Sequence, residues 1–296
     1  MKKPLFKGAA TALVTPFRDG ELDLSALKRL TEFQINEGID AIVVCGTTGE
    51  PPTLSQDEKD GILTFTLEQV AGRVPVIAGT GCSSTEEAVR QSMRAHVLGA
   101  DGLLVVTPYY NRTTQAGLIA HFTAVADAAR LPLILYNVPS RTGVNLLPET
   151  AAALAAHRNI CGIKDAAGDI SQTAELVRTI AGRMTVYAGN DDQVVPVLSL
   201  GGQGVISAAA NVIPERMHRL TEAWFGGNAE GARAVQMEIL PLIKRLFSEV
   251  NPIPVKAALE IMGLCRADVR LPLVRLSESR WQPLRNELAA LGLIGG

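Results

Sequence analysis

Short apolar runs recur along the chain, and each is a continuous block rather than an alternation of apolar and polar positions. They fall at residues 8–14 (GAATALV), 40–46, 74–80, 101–107, 132–137 (PLILYN), 160–164 (ICGIK), 184–189 and 203–207. Continuous hydrophobicity is what a strand buried on both faces requires, as in a parallel sheet. The stretches between them carry helix signals. Leu63, Leu67 and Val70 share one face by their spacing. Ser55 with Glu58 and Ser84 with Glu87 predict capping boxes, and Pro148 and Pro214 suit first helical turns.

Eight such βα units most simply close into a (β/α)₈ TIM barrel, an α/β fold whose sites lie at the C-terminal ends of its strands. A doubly wound open sheet is the alternative. After residue 208 the strand-like runs stop, and helices are expected near 213–225, 228–249, 254–263 and 277–292. The first of these completes the eighth unit. The expected division is therefore a barrel over 1–225, carrying the active site, and a C-terminal helical appendage over 226–296.

Composition narrows the function. The 296 residues are 47% hydrophobic and 20% charged, with a formal net charge of −2, a soluble globular balance. Neither nucleic acid nor a membrane surface has an electrostatic claim on such a chain, and 4% aromatic content argues against base stacking. Cys45, Cys82, Cys161 and Cys265 are far apart and form no CxxC pair, so they read as small hydrophobes in a reducing, cytoplasmic setting. Lys2 and Lys3 precede an apolar stretch too short for an export signal.

The strand ends carry the candidate chemistry: GTTGE (46–50), TPYYN (107–111), YNVPSRTG (136–143), GIKDAAGD (162–169) and GND (189–191). Lys164 closes an apolar strand, where desolvation favours the neutral amine that attacks carbonyl groups. Such a lysine could equally pair with Asp165 or reach the barrel rim. Three of the four tyrosines, Tyr109, Tyr110 and Tyr136, fall at expected strand ends, where phenols can pass protons. Thr47 and Thr48 can both donate and accept, and Arg141 suits bidentate capture of a carboxylate. Glu50, Asp165 and Asp191 read as bracing carboxylates. Gly79-Thr80-Gly81 lacks the third glycine of a dinucleotide fingerprint, and the four histidines, scattered along expected helices, lack metal-ligand spacing. No metal is expected.

Together GTTGE, VTPYYN, YNVPSRTG, GIKDAAGD, GGQGVIS (201–207) and NPIPVK (251–256) resemble the dihydrodipicolinate synthase and N-acetylneuraminate lyase family almost end to end. Arg141 and NPIPVK resemble its synthase branch in particular. The resemblance implies that Lys164 forms an imine with pyruvate, without a separate cofactor, and that the derived enamine attacks L-aspartate 4-semialdehyde. Tyr136, Thr47 and Tyr110 would relay protons, Tyr110 by reaching into a neighbouring subunit of a homo-oligomer, usually a tetramer. Thr48 would hold the pyruvate carboxylate, Arg141 that of the semialdehyde, and the Ile206 carbonyl would lie near the lysine.

Some members of the family bind lysine as an inhibitor at a dimer interface. Glu87 and Tyr109 match that pattern, whereas Pro51, Pro52, Gln56, Lys59 and Ser83 depart from it, and weak lysine inhibition is expected. Asp165 stands where a glutamate is common. Two other functions remain open: a paralogous aldolase acting on a sugar-derived aldehyde, and a barrel that binds a keto acid without catalysis.

Overall fold

The computed structural model describes residues 2–295. Its strands are β1 (Gly8–Ala12), β2 (Ala41–Val44), β3 (Val76–Gly79), β4 (Gly102–Val106), β5 (Leu133–Asn137), β6 (Ile160–Asp165), β7 (Thr185–Ala188) and β8 (Gly204–Ser207). They close into a barrel in which every strand neighbours the strands before and after it in sequence and β1 meets β8. The pairing is parallel, and each expected run matches one strand, with β6 extending one residue past its run to Asp165. Almost every strand residue is buried, because one side of each strand fills the interior and the other faces the helices.

The barrel helices are α1 (Leu24–Asn36), α2 (Gln56–Val70), α3 (Thr85–Leu98), α4 (Gln115–Ala129), α5 (Pro148–Leu154), α6 (Ile170–Ile180), α7 (Val194–Ser199) and α8 (Pro214–Phe225). Three more follow: α9 (Ala229–Leu246), α10 (Ile253–Ile261) and α11 (Glu278–Ala290). The α2 capping box forms in full, with Glu58 N donating to Ser55 Oγ at 3.2 Å and Ser55 N to Glu58 Oε2 at 2.8 Å. The α3 box forms only by half. Glu87 N reaches Ser84 Oγ at 3.4 Å, but the Glu87 carboxylate turns to Gln91 and Arg90 one turn on. On α2, Leu63 and Val70 are buried while Leu67 is only half-buried, its place in the core taken by Ile62 and Thr66.

A two-residue hairpin, Phe17–Arg18 with Glu21–Leu22, was not anticipated from the apolar pattern. Its turn is Asp19-Gly20, with φ of 54° and 89°, the left-handed pair that a tight hairpin turn needs.

The chain forms two compact units, one of residues up to Gly8 with Pro75–Ile206, the other of Ala9–Val74 with residues from Ser207 onward. In the first, the Lys2 ammonium donates to the carbonyls of Ala155, His157 and Ile160 at 2.6–2.8 Å. Phe6 stacks on Tyr187 with 4.4 Å between ring centroids, and the Tyr187 hydroxyl donates to the Phe6 carbonyl at 2.7 Å. In the second, the Asn211 amide donates to the Ala12 carbonyl at 2.7 Å and accepts from Val14 N at 3.0 Å. Gln34, buried on α1, donates to Ala210 O at 3.0 Å.

The histidines are not all helical. His157 lies in the turn after α5, where it meets Asp127 at 3.0 Å. His121 is buried on α4 with Nδ1 2.9 Å from Thr85 Oγ1, and desolvation lowers its pKa from 6.5 to about 4. Between those two values the unfolded chain holds a proton that the folded chain refuses, so stability falls as pH drops from about 6.5. The loss is complete once pH passes below about 4, and amounts to about 3 kcal/mol. Urea midpoints measured across this window should fall further for the wild type than for His121→Gln. Equal declines would show that another group is responsible.

Candidate active site

Lys164 and Tyr136 are paired across β6 and β5, and the next register pair is Asp165 with Asn137. Successive residues of a strand point to opposite faces, so these two pairs serve different surroundings. The Lys164 ammonium nitrogen lies 4.3 Å from the centroid of the Tyr136 ring, and both residues are 6% exposed. A cation over an aromatic face is attracted to it, and the contact fixes where the amine sits.

Asp165 turns the other way. Its carboxylate accepts from Thr173 Oγ1 (2.8 Å), Ala167 N (3.2 Å) and Asn137 Nδ2 (3.3 Å). Burial pushes its pKa up, and those three donors pull against the shift. The pairing of Asp165 with Lys164, open from sequence, gives way to this set of partners on the far side of the strand.

Arg141 stands on a single helical turn, Pro139–Thr142, directly after β5, and is exposed. The Thr142 hydroxyl pins the turn: it meets the carbonyls of Val138 and Val144 at 3.2 and 3.0 Å and accepts from Thr107 at 3.1 Å. Gly143 closes the turn at φ 71°, where a Cβ would lie 3.0 Å from Arg112 Nε. Strain and space both ask for glycine there.

After β4, Tyr109 is half-buried, and burial and the neighbouring Cys82 raise its hydroxyl pKa. Tyr110 has φ 72° and is 89% exposed, so within one chain it is not brought against the buried Lys164. Ile206 is fully buried in β8. Gly81 serves packing rather than a dinucleotide, since a Cβ there would fall 2.3 Å from Val106 N.

In the second unit, Thr47–Gly49 forms a single 3₁₀ turn after β2. Thr47 is half-buried. Thr48 is buried, and its hydroxyl accepts from Asn251 Nδ2 at 3.0 Å. Thr15 Oγ1 donates to Gly49 O at 2.7 Å. Glu50, in the left-handed region at φ 56°, is buried and paired with the fully buried Lys256 ammonium. That ammonium also donates to Asp268 O at 2.8 Å and lies 4.2 Å from the centroid of Phe17.

Asn251 and Lys256, both in NPIPVK, had been given no role from sequence. A lysine inside an apolar run needs a buried carboxylate partner, and that signal could have linked Lys256 to Glu50.

Of the effector positions, Ser83 is exposed, Lys59 is half-buried on α2, and Glu87 is engaged by Gln91 and Arg90. Cys45 and Cys161 are buried, with thiol pKa values pushed up to about 12 and about 11. Among the described residues no group of three or more His, Cys, Asp or Glu could hold a metal ion. Among them, too, no helix is long and apolar enough to cross a membrane.

Comparison with known proteins places this geometry. The Dihydrodipicolinate synthetase family matches residues 5–291. A 4-hydroxy-tetrahydrodipicolinate synthase of Thermoanaerobacter sp. (strain X514) is 51% identical over 292 residues, covering 98% of each chain. The crystal structure of a dihydrodipicolinate synthase from Thermotoga maritima superposes with a TM-score of 0.97 at 47% identity, over 98% of this chain and 100% of that one. The enzyme from Acinetobacter baumannii, solved in complex with pyruvate, gives a TM-score of 0.96 at 44% identity, over 97% of this chain and 99% of that one. The chain belongs to the dihydrodipicolinate synthetase family.

Proposed function

We propose that this protein is a Schiff-base lyase that condenses pyruvate with L-aspartate 4-semialdehyde to 4-hydroxy-tetrahydrodipicolinate, in lysine and diaminopimelate biosynthesis. The observation that carries the reading is the buried Lys164 amine set against Tyr136 at a C-terminal strand end. Family membership supplies the substrates.

The Lys164 amine attacks the keto carbon of pyruvate, and the carbinolamine loses water to give the imine. Loss of a methyl proton gives the enamine, whose carbon attacks the aldehyde. The amino group of the semialdehyde then adds to the imine carbon and displaces Lys164, closing the ring. Tyr136, with Thr47 and Tyr110, moves the protons that these steps demand. Thr48 accepts from Asn251, which leaves its hydroxyl proton to donate to the pyruvate carboxylate. Arg141 binds the carboxylate of the semialdehyde, and family resemblance assigns the Ile206 carbonyl a place near the reacting lysine. No cofactor is needed beyond the covalent imine.

The exposure of Tyr110 supports a homo-oligomer, proposed to be a tetramer, in which this tyrosine serves a neighbouring subunit. The four free cysteines suit a reducing compartment, and we place the enzyme in the cytoplasm.

Borohydride reduction in the presence of pyruvate should add a stable adduct to the peptide carrying Lys164, and Lys164→Ala should abolish it. An adduct elsewhere, or none, would leave a keto-acid-binding barrel without this catalysis. Arg141→Ala should raise KM for the semialdehyde tenfold or more, about 1.4 kcal/mol or above, with the pyruvate adduct intact. Unchanged turnover of the semialdehyde, or turnover of sugar aldehydes alone, would move the protein to the sugar-acid branch.

Feedback by lysine should be weak. Lys59 adds a cation that repels lysine's ammonium groups, and Arg90 and Gln91 already occupy Glu87. A titration showing strong inhibition at physiological lysine would refute this.

A further inference from the structure

The outward-facing register pair, Asn137 and Asp165, opens a hydrogen-bonded chain that the reaction itself does not use. The Asn137 amide donates both to Asp165 Oδ1 (3.3 Å) and to Asn145 Oδ1 (3.0 Å), and its own Oδ1 accepts from Leu146 N (2.9 Å). Asn145 and Gln172 then form a reciprocal amide pair, Nδ2 to Oε1 at 2.7 Å and Nε2 to Oδ1 at 3.1 Å. Gln115 Nε2 holds the Asn145 carbonyl at 2.8 Å.

This network joins two strand ends, the first turn of α6 and the segment beyond the Arg141 turn, and α4 reaches it through Gln115. Asn137 and Asp165 end the two strands that carry Tyr136 and Lys164. Gln172 and Thr173 belong to the first turn of α6. Asn145 and Leu146 lie in the segment just beyond the Arg141 turn and Gly143. The turn is thus anchored at both ends, by Thr107 and Thr142 before Gly143 and by Asn137 and Asn145 after it.

We propose that Asn145 is a positioning residue for the aldehyde subsite: with Asn137 and Asp165 it fixes the Arg141 turn to the strand ends that bear Tyr136 and Lys164. The proposal rests on the Schiff-base reading, because Arg141 matters only if a carboxylate-bearing aldehyde is the second substrate. Asn137 is buried and Asn145, Gln172 and Gln115 are half-buried, and amides held by several partners at once form a network stiffer than its separate bonds. Loosening it displaces Arg141 while leaving the Lys164–Tyr136 contact on the inner face.

The test is steady-state kinetics of Asn145→Ala and Asn145→Asp, run beside borohydride trapping with pyruvate. Asn145→Ala should raise KM for the semialdehyde about tenfold. Its KM for pyruvate and its trapped adduct should stay at wild-type levels. Asn145→Asp keeps the oxygen that accepts from Asn137 and Gln172 but sets a second oxygen against Gln172 Oε1, to which the native amide donates, and should recover only part of the affinity for the aldehyde.

A purely structural role would raise both KM values together, or leave the aspartate variant no better than alanine; either result overturns the proposal, as does an unchanged KM. Should Asn145→Ala not fold, Gln172→Ala, at the half-buried outer end, must show the same selective rise. Failure of the wild type to trap pyruvate would bring down the Schiff-base reading itself. Selective trapping without a selective KM effect would bring down only the role of Asn145.

Discussion

In a closed parallel barrel each strand is covered on both sides, so consecutive residues at a strand end enter two different worlds. Tyr136 and Lys164 turn to one of them and Asn137 and Asp165 to the other, held in step by the β5–β6 register. A slip of one residue would exchange the two sets, leaving the amine among the amides and the carboxylate against the phenol. The hydrogen-bond ladder therefore does more than hold the sheet together. It decides which polar groups turn to the face of Lys164 and which are consumed in holding the frame.

Two buried lysines show how the same residue type is used in opposite ways. Lys256 is fully buried, and its charge is balanced by Glu50, by the Asp268 carbonyl and by the face of Phe17. Truncating such a pair on one side strands the other charge, which is costly even where the intact pair adds little. Its value lies in orientation. Glu50 sits in a left-handed conformation just after the Thr47–Gly49 turn, and Asn251 fastens Thr48 from the same stretch of chain as Lys256. The segment leading into α10 thus sets the conformation of the threonine loop. Lys164, by contrast, has Tyr136 as its neighbour, and a phenol can exchange protons with an amine and its adducts.

Much of this was legible in the sequence because double burial leaves a strong mark. Blocks such as LILYN and ICGIK cannot be half-exposed strands, and each lies within a barrel strand. The hairpin at 17–22 escaped because its strands are two residues long, although Asp19-Gly20 was a readable turn. The α3 cap failed in half because spacing alone cannot tell whether Glu87 will prefer Ser84 or its neighbours Arg90 and Gln91. Asn251, Lys256 and Asn145 were missed for a deeper reason. Their partners lie far away in sequence or across a loop, and only folding brings an amide or a carboxylate opposite them.

The carboxylates complete the logic. Glu50 and Asp165 both stand beside segments that bear the proposed site residues, yet both are engaged by other groups. Glu50 is saturated by Lys256 and by the Arg270 backbone N–H at 3.1 Å. Asp165 is met by three neutral donors in a buried place that raises its pKa. At position 165 the short side chain lets Thr173 reach the carboxylate from the first turn of α6 at 2.8 Å. A glutamate would have to fit one more methylene into a pocket already closed to solvent, and the surrounding amides would have to give way. With both carboxylates committed to the frame, the proton transfers proposed above are left to phenol and threonine hydroxyls, which can donate and accept in turn without bringing a second charge beside the amine.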